Sequence, residues 1–150
     1  MSSPLRSRIN FFFEGPGPAL KNRRKLRAFI SSIFEREGAR LESLNLIFTD
    51  DKRILEINRK YLNHNFYTDI ITFDLSNGGH PVIGEVYISR GMVRENASIQ
   101  GTSMREELHR VIFHGILHLC GYNDKTAQQT KEMRNKENTY LTEYFQYCFT

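Results

Sequence analysis

The chain has 150 residues, 39% of them hydrophobic and 12% aromatic, which suits one packed domain and excludes a disordered or collagen-like chain. Lysine and arginine outnumber acidic residues 21 to 17, a mild excess that permits a nucleic-acid partner without requiring one. No apolar run approaches the ~20 residues that span a bilayer, so no membrane partner is expected, and two cysteines, Cys120 and Cys148, fit a reducing, cytoplasmic setting.

In chain order, the basic N-terminal stretch meets Glu14 directly after three phenylalanines, leaving no hydrophobic region for a secretory signal. INFFFE (9–14) reads as a strand, ended by GPGP. A helix is predicted from Ala19 to Glu37, where Leu26, Phe29, Ile30, Ile33 and Phe34 recur at helical spacing and Gly38 stops it. LNLIFTD (44–50) is a second strand, and Asp50–Asp51 opens a short helix marked by Ile54, Ile57 and Tyr61. After the polar loop 62–68, DIITFDL (69–75) and VIGEVYIS (82–89) flank the turn SNGGHP and should form an antiparallel hairpin.

Ser89 and Gly101 bound the next helix. Ser103 and Glu106 form a capping box for another, with Leu108, Val111, Ile112 and Leu119 as its buried stripe. A last helix spans about Thr126 to Tyr144, with Met133, Tyr140, Leu141 and Tyr144 inward. The fold class expected is α/β (α+β): a single domain over 1–150 with one mixed, roughly four-stranded sheet and about five helices.

The chemistry concentrates in HGILHLCGYND, residues 114–124. Residues four apart on a helix share a face, so His114 and His118 can address one metal ion. Gly121 permits a sharp exit, and Asp124 can fold back as a third ligand. Three protein ligands plus water is the pattern of a catalytic zinc site. The alternative is an ordinary pair of helix histidines, although two unpaired imidazoles in an apolar run would be costly to bury. Position 115 carries glycine, where zinc peptidases carry a glutamate; glycine there lets another backbone come close.

This segment resembles the signature of the YbeY family, HGxLHLxGYDH, in which three histidines grip a metal. YTDIITF (67–73) is similar to the family's PTDVLSF, GEVYIS (84–89) is similar to its GDIVIS, and the spacing of all three blocks agrees. The resemblance implies a metal-dependent endoribonuclease of ribosomal RNA maturation, processing the 3′ end of small-subunit rRNA and serving ribosome quality control. It carries the metal and catalytic roles to His114, His118 and Asp124, with ribosomal RNA and small-subunit ribosomal proteins as partners. The cofactor implied is one divalent ion: zinc first, with iron(II) or nickel as alternatives, because two histidines and a carboxylate suit iron(II) as well.

Two positions depart from the family. Asp124 stands for the third histidine, and Leu62 follows Tyr61 where the family usually has an arginine linked to substrate binding or catalysis. Arg59, Lys60 and His64 are candidates to compensate. The run KNRRKLR contributes Lys21, Arg23, Arg24, Lys25 and Arg27 as a phosphate-binding strip, or simply a solvated helix face. Glu85, His64 and Asp69 are candidate general bases, each with a plainer structural reading. Cys120 and Tyr122 are expected to pack, while His80 and His109 fall off the metal stripe. The alternatives are a ribosome-assembly factor stapled by metal, which the altered ligand and the missing arginine leave open, and a metal-dependent hydrolase of another substrate such as a peptide, against which Gly115 in place of a glutamate argues.

Overall fold

The computed structural model describes residues 8–17, 20–64 and 67–146. Four strands, β1 (Ile9–Phe13), β2 (Leu41–Thr49), β3 (Ile70–Asp74) and β4 (Val82–Ser89), form one sheet in the order β1-β2-β4-β3. β1, β2 and β4 run parallel; β3 is antiparallel to β4, as the SNGGHP turn requires. Five helices complete the chain: α1 (Arg23–Arg36), α2 (Asp51–Tyr61), α3 (Arg90–Gln100), α4 (Met104–Leu119) and α5 (Ala127–Gln146). The expected α/β class, the mixed sheet and the hairpin are all present.

Local chemistry sets most boundaries. The Asp50, Ser89 and Ser103 side chains accept the backbone N–H of Arg53, Met92 and Glu106, capping α2, α3 and α4. Thr126 does the same for Gln129 and so stands outside α5, which begins one residue later. α1 starts at Arg23 rather than Ala19, which lies outside the described residues. Asn22 adopts a left-handed φ of 56°, which asparagine tolerates and a continuing helix does not. β2 begins at Leu41, three residues before the alternating segment: Leu41 already pairs with Val82 of β4, across an irregularity that shifts the register before Ser43.

The two sheet faces are unequal. α1, α4 and α5 bury one face in the main core, where Leu26, Ile30 and Ile33 of α1 meet Leu44, Leu46 and Phe48 of β2 and Ile112, Phe113 and Ile116 of α4. A smaller cluster on α2 and β3 joins Ile54, Ile57 and Ile71. Of the expected stripe, Val111, Ile112 and Leu119 are buried and Leu108 only partly so, while Phe113, Ile116 and Leu117, outside that stripe, are fully buried. Among the described residues, no helix is long and apolar enough to cross a membrane.

α4 lies close on the sheet at Gly115. A Cβ there would come within 2.9 Å of Ile70 Cδ1 and 3.1 Å of Val86 Cγ1. The neighbours that demand glycine are thus side chains of β3 and β4, rather than the backbone expected from sequence. Gly84 answers from the sheet, its Cβ position 2.6 Å from Leu119 Cδ1. Gly115→Ala is expected to cost about 1–3 kcal/mol of stability through overpacking, measured by urea denaturation.

Candidate metal centre

His114 and His118 lie on successive turns of α4, with ring centroids 4.7 Å apart and planes at 81°. Cys120 then caps the helix C-terminus and Gly121 turns the chain at a φ of 105°. Gly121 N–H donates to His118 O and Tyr122 N–H to Leu117 O, the paired bonds of a Schellman ending. That reversal brings Asp124 back over the histidines. Its Oδ2 lies 3.3 Å from His114 Nε2 and 3.5 Å from His118 Nε2, and the three ligand atoms all fall within 4.8 Å of one another. An ion bound tetrahedrally at 2.0–2.1 Å separates its ligands by about 3.3–3.4 Å. The spacing therefore fits a divalent ion, and the three side chains can hold one.

The return loop is held from the opposite side. Tyr122 does more than pack: its hydroxyl donates to Glu37 Oε1 at 2.8 Å, while Lys136 Nζ and the Tyr140 hydroxyl donate to Glu37 Oε2. Burial pushes the Glu37 carboxyl upward, but these hydrogen bonds outweigh it and hold the group below its usual range. Thr130 Oγ1 also donates to the Asp124 carbonyl at 3.1 Å. α1, α5 and the return loop are thereby tied together two residues from the third ligand.

Behind His114 stands Glu137 of α5, whose Oε2 lies 2.6 Å from His114 Nδ1. Its side chain is only 5% exposed and its other oxygen receives Arg110 at 3.2 Å. A carboxylate on the far nitrogen leaves Nε2 to face a metal. The sequence reading omitted Glu137, although a signal existed: it falls between Met133 and Tyr140 at helical spacing, a carboxylate inside an apolar stripe. Burial disfavours a charged His114, yet Glu137, Asp124 and Asp69 outweigh it, and His114 titrates above the ordinary histidine value. For His118, burial and the neighbouring His114 prevail over Asp124 and lower its pKa.

The cluster is open to solvent. His114, His118 and Asp124 are 22%, 28% and 41% exposed at their side chains. Two neighbouring hollows share His114, Asp124, Asp69 and Ile70 as wall residues. One, of about 370 Å³, lies among α3, α4 and α5; the other, of about 440 Å³, lies along β3. Asp69 is the only one of the three candidate bases on these walls. It receives Asn96 Nδ2 at 3.1 Å, and burial raises its pKa. Glu85 instead receives the Tyr87 hydroxyl on β4.

The basic residues read from sequence lie outside both hollows. Arg23 and Arg27 sit over the Phe13 and Phe11 rings, and Lys25 sits over Tyr144 and donates to its carbonyl. Lys21 and Arg24 are exposed on and just before α1; Arg59 and His64 are exposed at and beyond the end of α2. Cys120 is a free thiol packed against the core, its pKa pushed up to about 12 by burial. Cys148 lies outside the described residues. His109, off the stripe, is buried against Tyr144 and its pKa falls to about 4.

A family model for endoribonuclease YbeY matches residues 19–145, nearly the whole fold including the metal cluster. The chain belongs to the YbeY family. A relative from Cytophaga hutchinsonii named endoribonuclease YbeY is 41% identical over 89% of this chain and 94% of its own length. Another of that name from Parabacteroides distasonis is 44% identical over 83% of this chain and 86% of its own. The solution structure of a Thermotoga maritima protein superposes with a TM-score of 0.63 at 29% identity, covering 91% of this chain and 89% of that one.

Two measurements probe the support of the site. Glu137→Gln should weaken zinc binding about 10- to 100-fold, read by chelator competition. Glu37→Gln should lower stability at pH 7 by about 1–2 kcal/mol. Because the folded pKa of Glu37 is depressed, its contribution exists above the unfolded carboxylate pKa. The difference from wild type should therefore shrink as pH falls through the folded value, as denaturation at stepped pH would report.

Proposed function

We propose that the protein is a metal-dependent endoribonuclease of ribosomal RNA maturation, acting on the 3′ end of small-subunit rRNA and in ribosome quality control. The observation that carries this reading is an open cluster of His114, His118 and Asp124 at coordination spacing, in a chain of the YbeY family. The relatives' name supports an RNA substrate, and the family resemblance supports ribosomal RNA, small-subunit ribosomal proteins as partners and a cytoplasmic setting. Zinc is the first candidate ion, with iron(II) or nickel as alternatives on the same donor set.

His114, His118 and Asp124 would hold a divalent ion, which when bound would supply Lewis-acid chemistry toward water and a phosphodiester. The chain's own residues do the rest. His114 and His118 orient their Nε2 atoms, and Glu137 fixes the His114 ring. Asp124 adds a negative charge where the family has a histidine, leaving the site one unit less positive. Asp69 lines both hollows, which supports it as the candidate proton acceptor over Glu85 and His64, which line neither. Water or the RNA's own 2′-hydroxyl can serve as nucleophile.

Solvent access at all three ligands favours this reading over a purely structural metal, whose site would be closed. A peptidase reading loses support because a glutamate at position 115 would project into Ile70 and Val86. His118→Ala and Asp124→Ala are each expected to reduce RNA cleavage at least about 100-fold while the chain stays folded. Cleavage of a single-stranded RNA with zinc, iron(II) or chelator checks this. Equal cleavage by wild type and His118→Ala would overturn it.

A further inference from the structure

The two hollows beside the metal cluster differ in charge. Along β3 the charged wall residues are Asp69, Asp74 and Asp124, and no lysine or arginine among the described residues lines that side. Among α3, α4 and α5 the walls carry Asp69, Glu107, Asp124 and Glu137, together with Arg110 and Arg134. An RNA strand entering the cleft therefore meets fixed cations on the α5 side alone.

The two arginines are not equivalent. Arg110 is nearly buried and committed: Nη1 donates to Asn138 Oδ1 at 2.9 Å and Glu137 Oε1 at 3.2 Å, and Nε lies 3.8 Å from Glu107. Arg134 is 51% exposed at its side chain, and its approach to Glu137 is 3.7 Å, beyond hydrogen-bond reach. Glu137 already serves His114 with one oxygen and Arg110 with the other, so Arg134 is held there by weak attraction only. Its guanidinium retains donors in a planar fork that matches two phosphate oxygens.

We propose that Arg134 binds a backbone phosphate of the RNA on the α5 side of the metal cluster, an assignment that rests on the endoribonuclease reading above. Arg134 sits one helical turn before Glu137, so a phosphate bound to it lies alongside the residue that orients His114.

The test uses full-length, zinc-loaded protein as wild type, Arg134→Ala, Arg134→Lys and a control, Lys52→Ala, which removes one exposed charge on α2. Steady-state cleavage of a short single-stranded RNA is measured over a range of salt. Zinc content is measured for each protein. Arg134→Ala is expected to raise KM about 10- to 100-fold with a smaller change in kcat. The slope of log KM against log salt should fall by about 0.7. Arg134→Lys should restore the slope but not the full affinity, and Lys52→Ala should stay within about two-fold of wild type.

KM and salt slope unchanged in Arg134→Ala would overturn the assignment, as would loss of bound zinc, which would make Arg134 a support of the metal. If the alanine variant fails to fold, Arg134→Gln replaces it. Binding of a 2′-O-methyl RNA heptamer by fluorescence anisotropy separates this proposal from the nuclease reading. Weakened binding by Arg134→Ala in a wild-type background that does not cleave RNA would sustain the phosphate site and sink the nuclease. Equal binding would overturn the phosphate site.

Discussion

The site depends on how closely α4 approaches the sheet. Gly115 leaves no side chain between the helix and Ile70 and Val86, and Gly84 leaves room for Leu119 one turn later. A Cβ at either position would force these tightly packed elements to give way. His114 and His118 lie beside the sheet-facing row of Gly115 and Leu119, so the seating that buries one row aims the other into the cleft. Packing and chemistry here are two faces of one helix. This explains why position 115 belongs to the core and offers no place for a proton-accepting side chain.

The second constraint is electrostatic. Asp69, Asp74, Glu107, Asp124 and Glu137 all line the cleft, against Arg110 and Arg134. Burial raises the pKa of Asp69 and of Glu107, and Glu107 Oε1 and Arg110 Nε are buried without a hydrogen-bond partner. Such an excess of carboxylates is costly unless a cation offsets it. A divalent ion held by His114, His118 and Asp124, which line the two hollows, would do so. The polar groups left unsatisfied nearby belong to the same cluster, where functional sites commonly keep them.

The departures from the family pattern acquire a structural setting. Asp124 is shorter than histidine, and the Gly121 reversal, together with the Tyr122–Glu37 bond, brings its carboxylate back to the two imidazoles. Leu62 caps α2 outside the cleft walls, while the cations that do line the cleft come from α4 and α5. The run at 21–27 is largely absorbed by aromatic rings and backbone carbonyls, which join α1 to β1 and α5. Charge in sequence is thus a poor guide to charge at the site.

Local chemistry alone determined a good deal of this protein. Caps at Asp50, Ser89 and Ser103, turn glycines and apolar periodicity place nearly every element, and the i, i+4 histidines with a glycine exit mark the metal cluster. These signals are legible because they act between residues a few positions apart. The strand order, the Glu37 latch, the bond from Glu137 to His114 and the presence of Arg134 at the cleft were decided by tertiary structure. Each joins residues far apart in the chain: Glu137 lies 23 residues beyond His114, and Tyr122 lies 85 beyond Glu37. A carboxylate in an apolar stripe announces that a partner exists. Only the packing of α5 on α4 names that partner, because the low-dielectric contact that makes the pair matter forms when the helices meet.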